Sequence, residues 1–265
     1  VGFQNDTIHV SSKNQQLDIV LRDGVELNEV NIVTRKLGTM KLRSSVMNED
    51  MISSAELSRA ACCNLGESFV TNPSVDVSYS DAATGAKQIK LLGLSGTYVQ
   101  MLTENIPNYR GAAAPYGLGY VPGPWMQSIQ VSKGTSSVKN GYEAITGQIN
   151  VEFKKPQLPE ADWVSANLFA STTNRYEANA DATLKLSKRW STSLLAHYEN
   201  ETKAHDGNDD GFVDIPQVEQ YNVWNRWAYM GDHYVFQAGI KALSETRTSG
   251  QANHGGTMHS GDLYK

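Results

Sequence analysis

The sequence contains no apolar run approaching the roughly 18 residues that a membrane-crossing helix needs. That excludes a helical span and leaves a β-barrel open, because a spanning strand needs only about 9–11 alternating residues. Positive charge is scarce: 23 Lys and Arg stand against 28 Asp and Glu, a net charge of −5. A nucleic-acid partner, which calls for a basic surplus, is therefore not expected. Cysteine is nearly missing, and the two present, Cys62 and Cys63, are adjacent. Neighbouring cysteines rarely bridge each other, so no disulfide framework is expected. They read either as two small buried residues on a helix or as soft thiolate donors for copper or zinc. G-x-S-x-G, H-E-x-x-H and a phosphate loop are missing too, and no other nucleophile–base constellation replaces them, so an enzyme is not expected. There is no initiator Met and no leader pattern, and the chain opens within a patterned stretch at Val1-Gly2-Phe3. It reads as a piece of a longer protein.

Composition changes twice along the chain. Residues 1–24 look like the end of a small β-domain, with Leu17, Ile19 and Leu21 on one face of a strand closed by Asp23-Gly24. Next, 25–33 is a short apolar stretch with acidic residues. It reads equally as an ordinary strand or as one that adds to a partner's sheet edge. Residues 34–156 mix short elements. The pattern predicts a helix capped by Asn48 or Ser53 and running to Cys63, then a short helix from Leu65 to Val70. Strands are predicted at 75–79, 88–92, 98–102, 128–132 and 148–153. A long loop rich in Gly, Ala, Pro and Tyr is predicted from Asn108 to Pro124, and loops of that length are usually functional.

Residues 162–245 follow a period of two. Tyr176, Ala178, Ala180, Ala182, Leu184 and Leu186 share one face, and Glu177, Asn179, Asp181, Thr183 and Lys185 the other. Strands at 190–199 and 234–242 repeat the pattern, and those at 163–171 and 221–229 follow it with exceptions. A soluble sandwich alternates in the same way. Two features favour a membrane barrel. Aromatics gather near strand ends, as at Tyr176, Trp190, Tyr198, Tyr221, Trp227, Tyr229 and Tyr234. Tight turns at 187–189 and 231–232 alternate with long polar loops at 201–220 and 246–262. About five strands are too few to close a barrel of transporter size.

The segment Ser128-Ile129-Gln130-Val131-Ser132-Lys133-Gly134, with Ser137, Gly141, Ala144 and Gly147-Gln148-Ile149-Asn150-Val151, closely resembles the last plug block of TonB-dependent outer-membrane receptors, I-x-V-x-K-G…S…G…G-x-I-N-V. Asn64-Leu65-Gly66-Glu67-Ser68-Phe69 with Asn72-Pro73-Ser74-Val75 is similar to the family's N-L-x-E-x-L…P-G-V segment. Gln88 to Gly93 is similar to its I-x-L-R-G strand, and Val99 to Pro107 to its L-x-D-G-x-P hairpin. Leu92 replaces the usual Arg, Glu104-Asn105 the usual Asp-Gly, and Ser74 a common Gly. The resemblance is close over 27–155 and weak over 156–265. It implies an α+β plug domain (34–156) followed by antiparallel β-strands of an incomplete transmembrane β-barrel (157–265). It also makes 1–26 the end of a carboxypeptidase-regulatory-like domain and 27–33 a candidate TonB box. Leu27, Glu29, Val30, Ile32 and Val33 would then pair with TonB, which works with ExbB and ExbD, from the periplasm.

The resemblance further implies TonB-dependent import of a scarce solute, such as a siderophore, cobalamin or a metal complex, across the outer membrane. Tyr109, Arg110, Tyr116 and Tyr120, together with the loop 80–87, are the candidate ligand contacts at the plug apex. Outer-membrane lipid is the expected surroundings. The loop Asp206-Gly207-Asn208-Asp209-Asp210-Gly211-Phe212-Val213-Asp214 matches D-x-[DN]-x-[DN]-G, with Ca²⁺ ligands expected from Asp206, Asn208, Asp210, Phe212 (main chain) and Asp214. Position 12 is Gln217 rather than Glu, which predicts weaker affinity. His254, Met258 and His259 are either donors to a soft metal or scattered residues of a polar loop. Other readings are a copper or zinc receptor, a calcium-dependent β-sandwich binding module, and a signalling receptor with an N-terminal regulatory domain.

Overall fold

The structure is a computed structural model that describes residues 39–41, 48–60, 63–81, 83–136, 143–156, 163–208 and 211–251. Residues 1–38, with the 27–33 segment and the domain expected before it, lie outside these, as do Cys62, Asp210, His254, Met258 and His259.

The first layer is a six-stranded sheet in the order β1-β2-β8-β9-β6-β7. It comprises β1 (Thr39–Lys41), β2 (Asn48–Ser53), β6 (Val99–Thr103), β7 (Ile106–Pro107), β8 (Met126–Lys133) and β9 (Gly147–Phe153). All neighbours run antiparallel except β6 and β9, which are parallel. A second, three-stranded sheet holds β3 (Val75–Asp81), β4 (Ala86–Leu91) and β5 (Leu94–Ser95). Between the sheets, Ile52, Leu65, Phe69, Leu91, Val121, Ile129 and Ile149 form one buried apolar cluster.

Gly147 is a point of close approach within this core. Its φ is +154°, and a Cβ there would lie 2.0 Å from the Ser132 carbonyl oxygen and 2.6 Å from Leu91 Cδ2. Only glycine fits where two strands and a core leucine meet this tightly.

The short helices differ in part from expectation. Helix α1 (Ser54–Arg59) ends before Cys63, and Ser53 precedes it without a side-chain cap. Asn48 is not a cap at all but the first residue of β2. The Leu65–Phe69 3₁₀ turn is well capped. Asn64 Oδ1 accepts from Glu67 N, and Glu67 returns its carboxylate to Asn64 Nδ2 and Cys63 N. This is the reciprocal logic of a capping box. The expected loop at 108–124 is built from short turns: Gly111–Ala113, α2 (Ala114–Gly117), Leu118–Tyr120 and Gly123–Trp125. Its far end is core, with Val121 and Trp125 buried.

The last layer is a five-stranded antiparallel meander: β10 (Val164–Ala170), β11 (Tyr176–Lys185), β12 (Trp190–Glu201), β13 (Gln217–Met230) and β14 (Val235–Thr248). The last two are longer than alternation predicted, so the β12–β13 connection is 202–216. The polarity of the meander is reversed relative to a soluble sheet. Glu177, Asn179, His197, Glu199, Asn222 (0% exposed) and Arg226 (2%) are buried, whereas Leu168 (81%), Ile240 (77%), Leu194, Val223 and Phe236 are exposed. A water-soluble β-sandwich would bury the apolar face, so that reading is overturned. Ring pairs line the outer surface near strand ends, including Trp190–Tyr229 and Tyr198–Tyr221. The polar face packs against the first layer, and Leu195 and Trp224 reach from it into the apolar cluster.

Candidate functional site at the plug apex

One end of the meander carries the connections 171–175 and 202–216 and the end of β14. Here the tip of the β3–β4 hairpin docks. Gly85 adopts φ +66°, and a Cβ would meet Pro216 at 2.6 Å and Arg247 at 2.8 Å. Arg247 Nη1 donates to the Thr84 carbonyl at 3.0 Å. Between tip and strand ends lies a cavity of about 80 Å³, lined among others by Tyr79, Lys87, Tyr116, Arg175, Glu201 and Arg247.

Charge around this cavity is mostly paired. Glu177 and Glu199 face each other across β11 and β12, and facing like charges repel. Arg175 resolves this by binding Glu177 at 2.6 Å and Glu199 at 3.1 Å, and it also reaches Glu67 of the first layer at 3.3 Å. Arg247 pairs with Glu245 at 3.1 Å. Lys87 and Glu201 have no ion-pair partner among the described residues. Burial lowers the Lys87 pKa from the usual lysine range, because the ammonium is held partly out of water.

The structure brings three of the four predicted contacts together. The Tyr109 and Tyr120 rings are 6.4 Å apart, and burial pushes both phenols above their ordinary pKa. Tyr116 lies under the Arg247 guanidinium at 5.3 Å. Arg110 does not join them. It turns away to an exposed, two-pronged contact with Glu143, at 2.9 and 2.8 Å. The tyrosines are held by the strand wall: Lys241 Nζ donates to Tyr109 Oη at 3.1 Å and to the Tyr120 carbonyl at 2.9 Å. Asn222 Nδ2 donates to the same carbonyl at 3.0 Å. Lys87 ends the 80–87 loop expected at the apex, and it lines the cavity there. Arg175 and Arg247 were missed in the sequence, where their only signal was a charge just before β11 and on β14.

In the 206–214 loop, Asp206 Oδ2 accepts from Gly211 N at 2.8 Å and Asp214 Oδ2 from Gly207 N at 2.7 Å. Both carboxylates thus turn into the loop. Phe212 bridges to Gln251. Among the described residues no cluster of three or more His, Cys, Asp or Glu is arranged to hold a metal. Cys63 is buried, and desolvation, reinforced by Glu177 and Glu67, pushes its thiol up to about 12. That works against a resting thiolate.

The family model "TonB-dependent Receptor Plug Domain" matches residues 41–148. Residues 41–148 of this chain are a TonB-dependent receptor plug domain. The vitamin B12 transporter BtuB of Vibrio vulnificus is 24% identical over 185 residues, covering 70% of this chain and 30% of its own length. Among solved structures, the siderophore receptor PirA from Acinetobacter baumannii aligns with a TM-score of 0.56 at 18% identity, over 75% of this chain and 32% of that one. The copper transporter OprC aligns with a TM-score of 0.60 at 15% identity, over 80% and 32%. At these identities the structural matches show the fold: a plug followed by antiparallel strands of a receptor barrel. The chain spans about a third of the length of these relatives. The receptor is an outer-membrane protein, and the proteins it resembles are transporters and receptors, not enzymes.

Proposed function

We propose that the parent protein imports a scarce solute, such as a siderophore, cobalamin or a metal complex, across the outer membrane, driven by TonB with ExbB and ExbD through residues 27–33. The observation that supports this most is the reversed polarity of β10–β14, with an apolar outer surface suited to lipid and a polar inner wall wrapped on a plug. The apex cavity, between plug and strand ends, is where a solute entering from outside meets both at once. The relatives named for vitamin B12, siderophores and copper mark the range of solutes to test. The raised Cys63 thiol does not favour copper among them. The test is uptake by cells carrying the full-length receptor, across labelled cobalamin, ferric siderophores and copper. One solute should accumulate, and a protonophore or deletion of residues 27–33 should stop it. Uptake that persists after that deletion would overturn the TonB-driven reading.

We also propose that the 206–214 loop takes Ca²⁺, on the inward turn of the Asp206 and Asp214 carboxylates.

A further inference from the structure

The inner wall at the apex carries a row of acids. Glu177 of β11, Glu199 of β12, Gln220 of β13 and Glu245 of β14 are successive register partners, so four strands present one row at the same level of the wall. Glu201 follows Glu199 on the inward face of β12, and Glu67 reaches the row from the plug. Against these five carboxylates stand three cations, Arg175, Arg247 and Lys87, which leaves an excess of two negative charges.

The cations are already distributed. Arg175 is shared among Glu67, Glu177 and Glu199, and Arg247 is on Glu245. Lys87 lies in the field of Glu67 and Glu199. Glu201, 7% exposed, has no ion pair among the described residues. The guanidinium whose field reaches it is Arg175, and its hydrogen-bond partner is the neutral Thr173 hydroxyl. A buried carboxylate without its own counter-charge favours a cation beside it.

Gln220 points to the same chemistry independently. It lines the apex cavity and is 1% exposed. Its Nε2 donates to Glu245 Oε2 at 2.9 Å and to the Gly119 carbonyl at 3.4 Å. Reversing the amide would set its oxygen against both acceptors, so the orientation is fixed. Gln220 Oε1 is then a buried acceptor with no hydrogen-bond partner among the described residues. Such an atom calls for a donor. The carboxylates are spread along a row rather than converging, and among the described residues no cluster is arranged to hold a metal. A donor that is also a cation and needs no convergent shell is an ammonium, with three N–H groups and no acceptor.

We propose that the apex cavity is a subsite for a protonated amine of the solute, held by the Glu201 carboxylate and the Gln220 carbonyl oxygen. This rests on the import reading above. At about 80 Å³ the cavity takes an alkylammonium arm and leaves the body of the solute outside it. The acidic row steers cations to the cavity and turns anions away.

The test uses the full-length receptor in whole cells, with Cys62 and Cys63 replaced by serine and a reporter Val218→Cys in the cavity lining. Aminoethyl and sulfonatoethyl methanethiosulfonates are the probes, each rate taken relative to that with free cysteine. The cationic reagent should label the reporter roughly tenfold faster, the scale of electrostatic steering in a lined cleft. Ethylammonium chloride should slow that labelling, and potassium chloride at the same ionic strength should not. Glu201→Gln should bring the ratio to near one, and Gln220→Leu should remove the ethylammonium protection. Lys87→Gln, which takes away a positive charge, should raise the ratio, a gain that misfolding cannot mimic. Glu219→Gln, on the outward face of β13, should change nothing. Equal rates, a ratio indifferent to Glu201→Gln, protection by potassium as strong as by ethylammonium, or a reporter that neither reagent reaches would each overturn the proposal. These rates do not depend on which solute is carried. If the Glu201-dependent preference is present while no solute is imported, it is the import reading that fails.

Discussion

Arg226 of β13 is ion-paired with Glu104 of the plug, at the hairpin position where the receptor family usually carries Asp-Gly. Arg226 is 2% exposed, so its charge depends on that carboxylate. Removing one partner of a buried pair leaves an uncompensated charge and costs about 3–5 kcal/mol, whereas replacing both costs far less. Glu104→Gln should therefore loosen plug docking strongly, and Glu104→Gln with Arg226→Met should recover most of the loss. A denaturant titration of detergent-solubilised receptor, following protease protection of the plug, checks this. A double variant as weak as the sum of the two singles would contradict it.

Gly147 sets the second expectation. An added methyl at 2.0 Å from the Ser132 carbonyl has backbone in its way, not a flexible side chain. Gly147→Ala should cost more than about 4 kcal/mol, in the range of mutations that force a core apart. Folded receptor in the outer membrane should fall below detection in a trypsin-resistance assay. Gly134→Ala is the control. It also has positive φ (+95°) but nothing within 4 Å of the new methyl, and it should cost only the backbone strain of roughly 1 kcal/mol.

The wall of this molecule was easier to read in its sequence than its plug apex. A strand with lipid on one side and polar plug on the other must alternate, so β11, β12 and β14 announced both faces. The reading stopped at Tyr221 on β13 because Gln217 and Glu219, on the outward face of that strand, are polar and break the apolar stripe. The 108–124 segment hid its structure for another reason: three-residue 3₁₀ turns leave no periodic pattern. Lys87 and Arg247 were legible as charged residues but not as neighbours. Their meeting depends on a hairpin tip docking onto a strand about 160 residues later. The turn from Glu104 to Asn105 looked like a defect in the family pattern. Its compensating partner, Arg226, lies in a different layer and is invisible to local motifs.

Cys63 gives a pH-dependent expectation. Its folded pKa, pushed up to about 12 by desolvation and the Glu177 and Glu67 carboxylates, lies above the unfolded thiol value of 9.0. A group raised in the folded state contributes stability below its unfolded pKa and loses that contribution as pH rises through the folded one. The window of loss is therefore pH 9 to 12, and near neutral pH this residue gives stability no pH dependence. Reactivity follows the same sign, since the thiolate is the nucleophile. In a Cys62→Ser background, iodoacetamide should alkylate folded receptor roughly a thousandfold more slowly than urea-unfolded chain at pH 8, three pKa units' worth. The folded rate should climb about tenfold per pH unit up to pH 10. A rate equal to that of the unfolded chain would mean the thiol is neither buried nor raised.

The calcium proposal for 206–214 makes a prediction about strength as well as presence. Asp206 and Asp214 each direct one carboxylate oxygen to a backbone N–H inside the loop, which shapes a turn able to converge oxygens on a cation. The twelfth position cannot complete that shell as a bidentate Glu would. It is Gln217, which already opens β13 and donates its side-chain amide to the Thr202 carbonyl. One missing carboxylate and a position tied into a strand both lower affinity, which places the expected dissociation constant near 10⁻⁴–10⁻³ M, the range of extracellular calcium modules. Magnesium, which demands a tighter octahedron, should not substitute. Calorimetric titration of the full-length receptor measures this, with Asp206→Asn and Asp214→Asn together as the variant. Asparagine keeps the turn's hydrogen-bond acceptor but removes the charge, so the pair should abolish calcium uptake while thermal stability without calcium stays within about 1 kcal/mol of the parent. No binding at 10 mM calcium, or binding unchanged in the double variant, would leave the loop a solvated acidic turn and nothing more.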